Sequence, residues 1–273
     1  MHDPPREVVD YYGGYPEEER LQSGPFRLEF ERTKELLRRL LPPAPARVLD
    51  VGGAAGAYSA HLAGLGYEAH LVDLSPRLVE EARIRNARLA RPIASLSVGD
   101  ARRLPQGDAS MDAVLVMGPL YHLPDAADRV AALREAHRVL ASPGIVLVAA
   151  ISRYASALDG MARRLTLDPK FVAIRDRDLA DGQHRNETGN AHYFTTAYFH
   201  RPEDLRAELE AAGFRDAAVY GVEGPGWLLA DFEERWADEF LRNDLLQVAR
   251  ALESESSILG ASAHLLGVGR KPR

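Results

Sequence analysis

Apolar residues recur at two different spacings along this chain, and the spacing changes near residue 45. Between Phe26 and Leu41 they repeat every three or four positions, which predicts an amphipathic helix ending at a proline cluster, residues 42–45. Beyond it, short apolar runs alternate with helical patterns, as in a parallel sheet. The pattern predicts strands near 46–51, 68–73, 93–98, 111–117 and 144–151, with helices near 56–65, 76–90 and 125–141.

The alternation stops over residues 152–200, which are polar, begin as a helix at 155–165 and then have the composition of a loop. We interpret this segment as an insertion that covers the mouth of the sheet. Alternation returns with a helix at 202–212, a strand near 214–221, a helical stretch at 226–256 and a last strand at 263–270, expected to be antiparallel. The predicted fold is a doubly wound α/β sheet in one domain, residues 46–273, preceded by an arm and helix, residues 1–45.

Composition narrows the classes of function. Hydrophobic residues make up 46% of the 273 positions, enough for a sizeable core, and there is no cysteine for disulfides or thiolate metal sites. A net charge of −6 argues against nucleic acid as the main partner, because binding phosphates needs a basic surface. No apolar run is long enough for a membrane span, and the N-terminus is unlike a signal peptide. We therefore expect a cytoplasmic monomer or homodimer that acts on a small molecule.

The most informative segment is Arg47–Tyr58, R-V-L-D-V-G-G-A-A-G-A-Y, together with Asp73 at the end of the next strand. Small residues at a strand-to-helix turn let the backbone approach a ligand closely. An acid at the tip of the next strand can accept hydrogen bonds from both hydroxyls of a ribose. A dinucleotide site has glycine where this chain has Ala54 and Ala57, and the Asp50 carboxylate repels phosphate but suits a cationic ligand.

The run V-L-D-V-G-G-A-A-G resembles motif I of class I S-adenosylmethionine-dependent methyltransferases, V-L-D-x-G-x-G-x-G, with Ala54 in place of the middle glycine. The chain is similar to their bacterial type-11, ubiquinone-biosynthesis-like group of small-molecule enzymes. The resemblance implies a seven-stranded sheet with a final reversed hairpin, and S-adenosylmethionine (SAM) as cofactor. It assigns cofactor binding to a first set of residues, which are Asp50, Gly52, Gly53, Ala54, Gly56, Asp73 and Leu74.

Two later segments extend the resemblance. The G-D-A…L-P segment implies that Asp100 faces the adenine amino group and that Ala101 offers its backbone amide to a ring nitrogen. The fourth strand and its exit loop imply that Met117, Gly118 and His122 lie beside the sulfonium and the nucleophile. Because an imidazole titrates near neutral pH, His122 is the candidate general base; the alternative is a histidine that caps a helix or bonds to the backbone.

The N-terminal arm carries aromatic and basic residues. Aromatic faces attract a sulfonium, and in similar bacterial enzymes a tyrosine and an arginine close the cofactor pocket, here Tyr11 and Arg20. Tyr12, on the same arm, is a candidate catalytic residue. The alternative is a tail whose aromatic residues serve no site.

The richest polar cluster lies in the insertion, over residues 181–200, and its aromatic and hydrogen-bonding density suits a substrate-facing lid. The alternative is a solvated loop held by aromatics that pack on the sheet. The candidate substrate-binding residues, two of them outside this cluster, are Tyr121, His184, His192, Tyr193, Tyr198, His200 and Trp227. His192 is also a catalytic candidate, and Trp227 suits a core position equally well. The histidine spacing matches no familiar ligand motif, so we expect no metal site.

Together the motifs predict a SAM-dependent methyltransferase that modifies an oxygen, nitrogen or carbon atom of a small molecule such as a secondary metabolite. Three alternatives stay open on the sequence alone. One is a SAM-binding protein with other chemistry, such as a cyclase, decarboxylase or hydroxylase. The others are an NAD-dependent oxidoreductase and a nucleic-acid methyltransferase, which the turn residues and the net charge respectively disfavour.

Overall fold

The apolar runs of the sequence become the strands of one sheet. The computed structural model describes residues 20–273. Within that range nine strands pair, which are β1 (Arg47–Val51), β2 (Glu68–Asp73), β3 (Ser95–Val98), β4 (Met111–Val116), β5 (Leu140–Ser152), β6 (Gln183–His184), β7 (Ala197–His200), β8 (Arg215–Gly221) and β9 (His264–Lys271).

Helices connect these strands and cover both faces of the sheet. They are α1 (Phe26–Leu40), α2 (Ala57–Gly64), α3 (Pro76–Asn86), α4 (Ala126–Val139), α5 (Ala155–Ala162), α6 (Pro169–Asp181), α7 (Pro202–Ala211), α8 (Phe232–Ala237) and α9 (Glu239–Leu252). None of the helices in residues 20–273 combines the length and apolarity needed to cross a membrane. The predicted helical stretch at 226–256 is divided into a 3₁₀ turn, Gly224–Leu228, followed by α8 and α9.

The strand order brings the carboxyl ends of β1, β2 and β4 side by side. Five parallel strands run in the order β3-β2-β1-β4-β5. β9 pairs antiparallel with the other edge of β5, and β8 pairs antiparallel with β9. The predicted doubly wound sheet and its reversed last strand are thus confirmed. In such sheets ligands bind outside the carboxyl ends, where the strand order reverses, which here is the crevice between β1 and β4.

Alternate residues of each strand face two separate cores. Leu49 and Val51 pack in the core under α4 and α7, whereas Val48 packs in the core under α1, α2 and α3. Because successive side chains of a strand point to opposite faces, Asp50 lies on the same side as Val48. There its carboxylate accepts a hydrogen bond from the Ser59 hydroxyl of α2, at 2.6 Å.

The insertion contains more regular structure than the sequence pattern predicts. The expected helix at 155–165 is present as the shorter α5, but the predicted loop is wrong over α6. Asp168 caps α6 by accepting a hydrogen bond from the Lys170 amide at 2.9 Å, and Pro169 occupies the first turn. The sequence contains this capping signal, but the polar composition of the surrounding residues favoured the prediction of a loop.

Two short strands join the insertion to the main sheet. β6 pairs antiparallel with β7, and β7 runs parallel to the last residues of β5, past the end of β4. The nine strands therefore consist of the seven implied by the resemblance plus this small pair. The insertion is hydrogen-bonded into the sheet at its carboxyl edge.

The turn that ends α6 gives a test of this attachment. Gly182 and Gly189 both have left-handed backbones, with φ of 78° and 73°. A methyl group at 182 would overlap the Phe199 carbonyl oxygen and lie 2.7 Å from Arg153 Nε, whereas one at 189 meets no described atom within 4 Å. We expect Gly189→Ala to lower the free energy of unfolding by about 1 kcal/mol through backbone strain alone. Gly182→Ala should lower it by about 1–3 kcal/mol more. Urea denaturation measures both, and equal losses would show that β7 moves freely away from the α6 turn.

Candidate active site

A cavity of about 190 Å³ opens at the carboxyl ends of β1, β2 and β4. Its wall joins segments that are far apart in the sequence: the turn after β1, the ends of β2 and β3, the exit loop of β4, the start of β9 and part of α1. This is the position at which a doubly wound sheet binds its ligands.

Neighbouring residues constrain the backbone conformation of the turn after β1. Gly52 has φ of 75°, and a side chain on it would overlap the Pro119 ring, so glycine is required there. Gly56, with φ of 82°, begins α2. Ala54 adopts φ of 47°, which is the left-handed region that a glycine enters more easily. Its methyl group therefore adds backbone strain to the turn and one carbon atom to the cavity wall.

Asp73 ties this turn to the next strand. One carboxylate oxygen accepts a hydrogen bond from the Ala54 amide at 2.9 Å, and the other accepts one from the Ser75 amide at 2.8 Å. The cap of α3 is Ser75, whose hydroxyl accepts from the Leu78 amide at 3.4 Å, so Asp73 is not the helix cap. Asp73 and its exposed neighbour Leu74 both line the cavity, where the carboxylate is held in a fixed orientation.

Asp50 lies beneath the turn rather than in the cavity wall. Oδ2 accepts from Ser59, and Oδ1 has no hydrogen-bond partner among the described residues. Burial raises the pKa of Asp50 to about 6; the Ser59 hydrogen bond opposes this rise and the Asp73 carboxylate adds to it. Two carboxylates beneath and beside one turn favour a cationic ligand and disfavour a pyrophosphate.

The loop after β3 holds its acid with an arginine that the sequence analysis did not single out. Arg102 contacts Asp100 at 2.6 Å and Asp128 of α4 at 2.7 Å. Burial raises the pKa of Asp100, but the hydrogen bonds from Arg102 outweigh it and hold that pKa below its usual value. Asp100 and Ala101 both line the cavity, and the Asp100 carboxylate is ionised at neutral pH.

The exit loop of β4 places Met117, Gly118, Tyr121 and His122 in the cavity wall. The His122 ring lies 4.7 Å from that of Tyr121, and its Nδ1 is 3.4 Å from the Thr196 carbonyl oxygen of the insertion. Burial lowers the pKa of His122 to about 4 and the Thr196 hydrogen bond opposes this only in part, so the imidazole is neutral at neutral pH.

The structure does not bring the predicted residues of the insertion or Trp227 into the cavity, and all of them except His192 have a packing role instead. His184 is buried against Asp178 at 2.9 Å and stacks on Phe199, and His200 is buried against Glu208 at 3.1 Å. The remaining members contact neighbouring groups as follows: Tyr193 donates to Asp168, Tyr198 lies under the Arg129 guanidinium, and Trp227 donates to the Ala261 carbonyl. His192 is exposed. Apart from His192, these side chains attach the insertion and the 3₁₀ turn Gly224–Leu228 to the sheet.

Arg20, by contrast, lies in the cavity wall, where it forms an ion pair with Glu29 at 2.9 Å. Tyr11 and Tyr12, the other two candidates on the arm, lie outside the described residues.

A charged cluster at the far side of the cavity was missed by sequence reasoning. Glu29, Glu223 and His264 each place one ligand atom within 4.8 Å of the others. Their positions in the chain are far apart, so no motif links them. The available signal was topological: β9 runs antiparallel, so the residue that begins it stands at the carboxyl edge of the sheet with the other site residues.

Comparison with known proteins agrees with this geometry. A family profile described as "Methyltransferase domain" matches residues 48–144. A ubiquinone biosynthesis O-methyltransferase of Xanthomonas axonopodis pv. citri is 30% identical over 205 residues, which are 74% of each chain. A demethylmenaquinone methyltransferase of Deinococcus radiodurans is 29% identical over 197 residues, 67% of this chain and 75% of the relative.

Solved structures show the same fold. A Thermotoga maritima SAM-dependent methyltransferase, a possible histamine N-methyltransferase, aligns with a TM-score of 0.57 over 96% of this chain and 98% of its own, at 20% identity. The [4+2]-cyclase SpnF aligns with a TM-score of 0.54 over 89% of this chain and 80% of its own, at 19% identity. The shared fold alone therefore does not decide the reaction.

The family profile and the curated relatives identify an enzyme of the methyltransferase class. From the match to the Xanthomonas relative, the chain belongs to the class I SAM-dependent methyltransferases, in the bacterial group related to ubiquinone-biosynthesis enzymes.

The buried carboxylate of Asp50 gives a pH-dependent test. Because its pKa is raised by folding, its contribution to stability is present at low pH and is lost as the pH rises through about 6. Asn at this position does not ionise. We expect the stability of Asp50→Asn relative to the parent to increase by about 2–3 kcal/mol between about pH 4 and about pH 7. Chemical denaturation at both pH values measures it, with the exposed Asp244→Asn as the matched control. A pH-independent difference would place Asp50 in contact with solvent.

Proposed function

We propose that the cavity binds SAM and that the enzyme transfers the methyl group to an oxygen atom of a small molecule. One observation supports the cofactor above all: the β1 turn, Asp73 and the Asp100 loop, which come from the ends of three neighbouring strands, line one cavity. The names of the relatives, ubiquinone biosynthesis O-methyltransferase and malonyl-[acyl-carrier protein] O-methyltransferase, support oxygen as the acceptor atom.

The residues present fit SAM better than a dinucleotide. The Asp73 carboxylate, held by two backbone amides, is positioned to accept hydrogen bonds from ribose hydroxyls. Asp100 and the Ala101 amide supply an acceptor and a donor for adenine. The carboxylates of Asp50, beneath the turn, and of Asp73, in the cavity wall, suit the positive charges of SAM. The Asp73 carboxylate beside the turn and the Asp50 carboxylate beneath it would repel a pyrophosphate there.

When bound, SAM supplies a methyl group already activated by a sulfonium, so the chain needs to do little covalent chemistry. Its residues have to align the acceptor, exclude water and fix the charge of the reacting oxygen. Met117 and Tyr121 of the β4 exit loop line the cavity and are the residues that we assign to this alignment. His122, neutral and weakly basic, is suited to orient the acceptor by a hydrogen bond rather than to hold its proton.

Replacing Asp73 tests the cofactor site. Asp73→Asn keeps the shape but removes the charge and one acceptor, so we expect SAM binding to weaken about 100-fold. Isothermal titration with SAM, S-adenosylhomocysteine and NADH measures this, and the parent should bind the first two and not NADH. The exposed Asp176→Asn is the control and should bind as the parent does. Unchanged affinity in Asp73→Asn, or binding of NADH by the parent, would contradict the proposed cofactor site.

Replacing His122 separates orientation from proton transfer. We expect His122→Ala to lower turnover about tenfold, the loss of one hydrogen bond, with the SAM affinity unchanged. A loss of about 100-fold or more would instead identify His122 as a general base. Initial rates of S-adenosylhomocysteine formation with an accepted substrate, together with titration of the cofactor, distinguish these results.

A further inference from the structure

We propose that His264, held by Glu223 and Glu29, donates a hydrogen bond from Nε2 to the acceptor oxygen and binds the acceptor as its anion. This inference rests on the proposed function and assigns the substrate class of the same cavity. It starts from a cluster that neither the sequence motifs nor the cofactor site uses.

The position of the cluster in the sheet assigns it to the acceptor. Asp73 and the Asp100 loop follow β2 and β3, on one side of the crevice between β1 and β4. His264 begins β9, which lies beyond β5 on the opposite side, and its ring lines the same cavity. The nucleoside groups and the charged cluster therefore face each other across the cavity.

Hydrogen bonds fix the orientation of the His264 ring. Nδ1 makes a very short contact with Glu223 Oε1 and lies 3.7 Å from Glu29 Oε2. The second oxygen of Glu223 accepts from the Ser262 hydroxyl at 2.7 Å and from the His264 amide at 3.1 Å, so this carboxylate cannot turn away. No hydrogen bond among the described residues uses Nε2, and the ring borders the cavity. The geometry thus presents Nε2 to a ligand.

The charges of the cluster favour the protonated ring. The charged groups that face His264 are Glu223 after β8, Glu29 on α1 and Arg20, which pairs with Glu29. Burial alone lowers the pKa of His264, but the two carboxylates outweigh burial and the opposing Arg20, and raise it to about 9. Arg20 and the imidazolium then balance the two carboxylates. The cluster is neutral without a metal ion, and both oxygens of Glu223 and Oε2 of Glu29 already have partners.

The surrounding wall describes the rest of the acceptor. Val222, Ala149, Leu265 and Leu266 are apolar and line the cavity near the cluster. A single charged hydrogen-bond donor, the His264 imidazolium, in an otherwise apolar wall suits a molecule with an apolar body and a single acidic hydroxyl. A hydroxyl more acidic than the imidazolium gives up its proton to solvent on binding, so carboxylic acids and acidic phenols fit and alcohols do not.

The transfer step then needs no base. The acceptor oxygen, bound as its anion beside His264, forms a bond to the methyl carbon as the carbon–sulfur bond breaks. The electron pair of that bond stays on sulfur, which becomes a neutral thioether. No proton moves in this step, and His264 keeps its own proton throughout. The pair Glu223–His264 acts by fixing the charge and position of the oxygen.

The test uses 4-nitrophenol as a probe, because its anion absorbs visible light and its neutral form does not. The purified enzyme, saturated with S-adenosylhomocysteine, is titrated with the probe below the pH at which free nitrophenol ionises. We expect bound probe to show the anion band. In His264→Gln, which keeps a polar side chain but no charge, we expect the anion to bind about tenfold more weakly or worse. His70→Gln, a substitution on β2 outside the cavity, is the matched control.

A second variant keeps the histidine and changes only its partner. Glu223→Gln removes one of the two carboxylates that favour the imidazolium, so the upper pH limit of anion binding should move to lower pH. If Glu223 had only a structural role, Glu223→Gln would lower the affinity for the anion equally at every pH. Titration of S-adenosylhomocysteine into each variant shows whether the cofactor half is intact.

Three results would overturn the inference while leaving the cofactor proposal standing: the parent binds S-adenosylhomocysteine but no nitrophenol anion, His264→Gln binds the anion as the parent does, or anion binding requires added Mn²⁺. The last would identify Glu29, Glu223 and His264 as metal ligands. Failure of the parent to bind S-adenosylhomocysteine is a different result, since it contradicts the proposed cofactor instead.

Discussion

The hydrogen bond from the Ala54 amide to Asp73 holds two strand ends together, and the rest of the cavity depends on it. It can form only because the turn after β1 passes tightly under its neighbours, with Gly52 lacking a side chain against Pro119. The turn thereby sets the distance between the β2 end and the β4 exit loop, which form opposite walls. Any change that widens it separates groups that have to contact one ligand.

Charge is distributed unevenly across the cavity. On the β2 and β3 side, the Asp73 carboxylate lines the cavity and the Asp50 carboxylate lies beneath the turn, while Asp100 is paired with Arg102. On the β9 side, acids and cations occur in equal number. The first side suits a cationic nucleoside, and the second, where His264 is protonated, suits an anion. The two halves thus select for opposite charges.

Local signals predicted most of the fold and brought out the turn and the acid that line one side of the cavity, for a physical reason. Asp73 and the turn at Gly52 are within about 20 residues of each other, and each owes its place to a strand end that its own apolar run defines. His264 could not be found this way, because its partners Glu29 and Glu223 reach it only through the order of strands. The prediction for the side chains of the insertion differs from the structure for another reason. A dense run of histidines and aromatics has the same composition whether it lines a pocket or, as with His184 and His200, fills a buried layer.

The last strand of the chain lies in the interior of the sheet. β9 fills the gap between β5 and β8, and His264 is its first residue. While the chain is being synthesised, the segments that form the cofactor half are complete long before β9 leaves the ribosome. Until then, β5 has an open edge and the charged cluster lacks its histidine. A chain from which β9 is removed therefore loses the histidine of the charged cluster and the strand that covers one edge of β5 in a single step.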